Sequence, residues 1–165
     1  FSARWTNVAG CTPLLGDGWG QRDGRNSDVG ATLPYIVRRA PAAEEPTVFA
    51  SVFEGHVPGQ EIVRSVRLIP VPDNQVDNAV VVAVETEEGT DYLVSCLEPR
   101  PLTIRLPEGP LDFTGHFTMV AARDGRLTEA SCTGNNLTSG AGTTRASASP
   151  AGGTGRAEDA RFCVA

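Results

Sequence analysis

The chain contains no lysine: all 14 of its basic residues are arginine, set against 20 acidic ones. A lysine Schiff base or lysine general base is thereby excluded. The net charge of −6 comes with no basic face in the sequence, so nucleic acid is not an expected partner. The simplest source of the arginine bias is a GC-rich genome. No apolar run approaches about 18 residues, so no membrane-spanning helix is encoded. The four cysteines, Cys11, Cys96, Cys132 and Cys163, form no CxxC pair. Structural zinc normally takes closely spaced ligands, so no metal is expected, and no other cofactor is implied. Position 1 is Phe and not Met, and no charged segment followed by an apolar one comes after it. The expectation is a processed or excised chain whose targeting signal is already gone.

Amphipathic helical periodicity is also missing, and apolar runs of period two take its place. Thr32 to Glu54 reads as two strands paired across a polar, proline-bearing loop, Leu33, Tyr35 and Val37 in the first and Val48 to Phe53 in the second. Glu61 to Val71 is a further strand, ended by Pro70 and Pro72 because proline cannot donate to a ladder. Asn78 to Pro99 is the strongest hairpin. Its arms Ala79–Val84 and Tyr92–Leu97 are nearly continuous apolar runs, which belong mid-sheet and covered on both faces. Leu102 to Leu106 is another strand. Phe113–Arg123 and Arg126–Thr133 flank Asp124-Gly125, a turn pair suited to strand twist. The expected fold is all-β, an antiparallel β-sandwich of roughly eight to ten strands. It would span residues 1–138, with an irregular glycine-rich lead-in over 1–31. A flexible Gly/Ala/Ser/Thr-rich tail over 139–165 would follow, with Cys163 as a candidate tie.

An even cysteine count in such a chain suits two disulfides and a secreted or periplasmic setting, with three connectivities open. A Cys132–Cys163 bridge is weakly preferred, and free buried thiols are the alternative. In the loop 16–31, Trp19, Arg22, Asp23 and Arg25 form a candidate glycan subsite. An aromatic face stacks on a sugar, guanidinium forks bind carboxylate or sulfate, and Asp accepts sugar hydroxyls. The plainer reading is a structural loop whose tryptophan plugs one end of the fold. Asp17, Asp23, Asn26 and Asp28 could offer oxygens to calcium, though not at EF-hand spacing. His56 and His116 are the only candidate bases near neutral pH, and they make a site only if the fold brings them together. Glu85, Glu87, Glu88 and Asp91 read as a solvated hairpin tip. Asn136-Leu137-Thr138 is a glycosylation sequon where the source glycosylates asparagine.

The run GWGQRD, then LPYIVRR, then TVFASVFEGHVPGQEIVRSVRLIP resembles the later, β-rich portion of the heparinase II/III-like polysaccharide lyases. LDFTGHFTMVAARDGRLTEASCTGNNLTSG is similar to that portion's closing hairpin and turn, so the resemblance spans about residues 16 to 140. It departs at Glu54-Gly55-His56, where the family places a proline after the glutamate. The resemblance implies a β-sandwich in a polysaccharide context. The family's catalytic residues belong to an α/α toroid and a central β-domain, and none maps onto this chain, so no catalytic residue is assigned. The leading expectation is a non-catalytic module of a secreted lyase, its partners an acidic polysaccharide or the parent's catalytic domains. A self-assembling structural β protein, hence a homo-oligomer, and a free-standing carbohydrate-binding module using Trp19 are the alternatives.

Overall fold

The computed structural model describes residues 2–8, 12–19, 30, 32–42, 47–139 and 153–156. It is all-β. The described elements are eleven strands, β1 (Ser2–Asn7), β2 (Thr12–Trp19), β3 (Thr32–Arg39), β4 (Ser51–His56), β5 (Val63–Ile69), β6 (Ala79–Thr86), β7 (Thr90–Cys96), β8 (Leu102–Leu106), β9 (Gly109–Arg123), β10 (Arg126–Ser139) and β11 (Gly153–Arg156), and one 3-10 turn at Asp73–Gln75. No described helix is long and apolar enough to cross a membrane. Two compact units divide the chain: Phe1–Val8 with Ala50–Ala165, and Ala9–Phe49.

The larger unit is built on a seven-stranded antiparallel sheet in the order β11-β10-β9-β7-β6-β5, with β8 added to β9. The β6–β7 hairpin forms where its two apolar runs predict it, Ala79 facing Cys96 and Glu85 facing Thr90. Asp124 and Gly125 both take positive φ, 52° and 70°, as a tight turn matched to strand twist requires. One side of the sheet carries the core: Ile69, Val81, Ala83, Tyr92, Val94, Val120 and Ala130 pack with Leu102, Ile104, Leu111, Phe113 and Leu137.

Strand β9 is what lets a single sheet enclose that core. Its first third pairs with β8 and its last third with β7. Between them His116 and Phe117 are exposed in succession, so the buried positions change from Leu111 and Phe113 to Thr118, Val120 and Ala122. Opposite this step the β9–β10 register shifts at Thr133/Gly134 and again at Gly134/Asn136. Bulges bend a strand and re-aim its side chains. Here they turn both halves of β9 toward one apolar cluster.

The expectation that Thr32–Glu54 forms one paired unit is corrected. β3 pairs with β2, from Thr12↔Arg39 to Trp19↔Thr32, while β4 pairs with β1, from Ser2↔His56 to Asn7↔Ser51. Alternating apolar residues mark a strand and its faces but do not name its partner. The second run also begins later than its apolar residues suggest, since Val48 and Phe49 precede the strand. Strands β1 and β2 both fall within residues 1–31.

Candidate functional site

The glycan-subsite candidates fall largely outside the described residues. Trp19 closes β2 opposite Thr32, but its side chain is not among them, nor are Arg22, Asp23, Arg25, Asn26 and Asp28. Asp17 lies on β2, exposed, opposite Pro34. No group of His, Cys, Asp or Glu among the described residues is arranged to hold a metal. Cys96 is a free thiol buried in the core, and desolvation pushes its pKa up. Cys132 lies on β10 opposite Thr118, with its side chain outside the described set, as are Cys11 and Cys163. Asn136 of the sequon pairs in the backbone with Thr114.

The two histidines have separate partners on separate strands. His116 Nδ1 lies 3.4 Å from the Cys96 carbonyl. His56 Nδ1 lies 3.2 Å from the Val57 carbonyl and 3.3 Å from Glu61 Oε1. Beside His56, two positions before it on β4, is the polar group that sequence reading missed. Glu54 is buried, and its Oε1 accepts the Ile62 and Val63 amides at 2.6 and 2.9 Å. Its Oε2 accepts Arg4 Nη2 at 2.7 Å, and the same nitrogen donates to the Val63 carbonyl. The Val63 amide holds the Glu54 carboxyl below its ordinary value of 4.5, helped by Ile62 and Arg4 against the cost of desolvation. One carboxylate thus ties β1, β4 and the start of β5 together. That is the work of a fastener, with both carboxylate oxygens taken up by fixed donors.

The other buried polar groups are also structural. Asn78 donates to Gln75 Oε1 and to the Glu98 carbonyl, each at 3.1 Å, and accepts the Glu98 amide at 2.7 Å. Gln75 donates to the Pro101 carbonyl at 3.1 Å. Together they satisfy the backbone where the chain enters β6 and leaves β7. The Tyr92 hydroxyl donates to Glu108 at 2.9 Å, and desolvation, then Glu108, pushes its pKa up to about 12. It remains a neutral donor at physiological pH.

The β2–β3 hairpin is different in kind. By strand alternation Leu14, Val37, Tyr35 and Leu33 share one face, with Arg39 at its end; Leu15 and Ile36 share the other with Arg38. The Arg38 guanidinium lies 5.0 Å from the Phe49 ring centroid, within cation–π range. On the first face Gly16 and Gly18 leave room that larger residues would fill. A Cβ on Gly18 would stand 2.4 Å from the Tyr35 ring, so the ring rests directly on the glycine backbone. Yet these side chains remain open: Leu14, Leu33 and Tyr35 are close to half exposed, Val37 more so, and Leu15 is 80% exposed. A two-stranded ribbon is marginal alone in water, and an apolar one without cover is costly. Among the described residues this is the surface with the strongest reason to meet something else. No family model, no curated protein and no solved structure matches the chain.

Proposed function

We propose that the chain is a self-assembling structural β protein whose copies associate through the β2–β3 hairpin. The observation that carries this is the hairpin itself: Leu14, Leu15, Leu33, Tyr35, Ile36 and Val37 all exposed on two strands that share no larger sheet. Burying such side chains is worth on the order of 1.5–3 kcal/mol each when complete, so a partner that covers several of them supplies substantial association energy. The lyase-module expectation draws on the sequence motifs alone. Light scattering over a range of concentrations tests the assembly reading. The expected result is a mass above the 17.4 kDa of one chain, falling to it when Tyr35→Asp is introduced. A mass of one chain at every concentration would sink the reading.

A further inference from the structure

We infer that the contact is head to tail: the Leu33–Tyr35–Val37 face of one copy's hairpin lies along the outer face of the seven-stranded sheet of the next. This rests on the self-assembly reading and names the surface that the hairpin meets. The outer face is the side turned away from the core cluster. Leu68, Val82, Leu93 and Met119 form one row across β5, β6, β7 and β9. Val80 and Val84 extend it along β6, and Phe117 extends it along β9. Val82 and Val84 make a floor, while Leu68 at 43%, Phe117 at 39% and Met119 at 38% stand open around it. An antiparallel sheet with one solvated face alternates apolar inside with polar outside. On β6 that alternation is absent, and on β7 only Asp91 and Ser95 keep it, so the chain carries two unlike apolar β surfaces, one on the hairpin and one on the sheet.

Their patterns match in step and in charge. Along β3 the open face reads Leu33, Tyr35, Val37, then Arg39; along β6 the outer face reads Val80, Val82, Val84, then Thr86, and the turn that follows carries Glu87 and Glu88. Both advance about 6.7 Å per two residues, so three apolar contacts can seat together. The cation that ends one stripe then reaches the acidic turn that ends the other. Glu87 is already held by Arg64 at 3.0 Å, whereas Glu88 is exposed and has no ion pair among the described residues. Pro13 and Pro34 lack amide donors on the two hairpin strands, which disfavours extension of the ladder at an edge and favours packing face on face. Two different surfaces in contact make a heterologous interface, which propagates as a ring or a filament.

Two single-face variants test this. Tyr35→Asp removes the hairpin face and leaves the sheet; Met119→Glu removes the sheet face and leaves the hairpin. Each alone is expected to give one-chain mass, and a 1:1 mixture is expected to give a dimer that grows no further. If Met119→Glu assembles like the wild type, the head-to-tail contact is overturned while the self-assembly reading stands. A wild type that stays monomeric overturns both. Circular dichroism with a cooperative melt establishes that each variant is folded. A second measurement does not depend on disruption. Because the chain has no lysine, Arg39→Lys keeps the charge and introduces the sole side-chain amine. Carbodiimide coupling is then expected to yield a covalent dimer linked between positions 39 and 88, read by mass spectrometry. A linkage confined to the monomer band, or made only to other carboxylates, overturns the proposal.

Discussion

The seven-stranded sheet and the β2–β3 hairpin are made from similar residues and treat them in opposite ways. In β6 and β7, Val81, Ala83, Tyr92 and Val94 reach the core with almost no exposed surface, because neighbouring strands on each side and β8 over the end remove them from water. In β2 and β3, Leu14, Leu33 and Val37 have the same alternation and no such cover. Apolar patterning specifies a face, but the number of strands that share the face decides whether it is paid in stability or left as a surface for binding. The hairpin is therefore the part of this chain whose sequence makes least sense in an isolated copy.

The largest expected effect separates the two regions by stability alone. Phe113→Ala should cost about 3–5 kcal/mol, since Phe113 joins the β8 end of the sheet to the main cluster and leaves a cavity when truncated. Leu15→Ser, at a side chain exposed on the hairpin, should fall within about 0.5 kcal/mol. Urea unfolding of dilute protein measures both. Comparable losses at the two positions would mean that the hairpin is packed within one copy, and the contrast drawn above would fail.

That contrast also explains which parts of the fold were legible in the sequence. The β6–β7 hairpin and the Asp124-Gly125 turn were readable because their signals are local: continuous apolar arms in one, and two residues tolerant of positive φ in the other. The partners of β3 and β4 were not, because a strand's pattern is compatible with any neighbour that presents a matching face. The change of inward parity along β9 was hidden for a related reason. A strict alternation read through Phe113 and on past Phe117 puts Phe117 inside, whereas the bulges opposite it put Thr118 there instead. Glu54 was invisible as a buried group, since its donors, Arg4 and the Ile62 and Val63 amides, are remote or belong to the backbone. The candidate surface was half legible: the sequence showed runs apolar on both faces, and only the fold showed which of them stay open.

A smaller effect, confined to the sheet-bearing unit, is expected in acid. Glu54 holds its donors as an ionised acceptor, and its folded-state pKa lies below 4.5. Its contribution is therefore complete above the unfolded-state value and is lost as pH falls through the folded-state value. Glu61, lowered by its own amide and that of Gly59, and Glu85, lowered first by the Ser65 hydroxyl, act in the same direction. Thermal midpoints should hold steady from neutrality to about pH 5 and then decline. In Glu54→Gln the neutral-pH midpoint should be lower and the acid decline shallower. An unchanged acid slope would show that Glu54 is not one of the groups that acid titrates to unfold this unit.

A small effect on stability is also expected at Gly18, and it bears most directly on what the hairpin is for. A methyl group there would stand 2.4 Å from the Tyr35 ring, so the ring, which is close to half exposed, must shift. Gly18→Ala should swing Tyr35 away at modest cost to folding, because the obstacle is a half-exposed side chain and not backbone. The same swing removes the central residue of the Leu33–Tyr35–Val37 stripe from the plane of that face. Unfolding in dilute urea should then differ by less than about 1 kcal/mol from the wild type, while the concentration needed for assembly rises several-fold. If assembly is untouched while the Tyr35 ring is displaced, judged by its near-ultraviolet dichroism, the opposite face of Leu15 and Ile36 carries the contact. If folding itself is badly damaged, Tyr35 is held in place by packing within the copy, and the hairpin is a structural element of the single chain rather than its means of joining another.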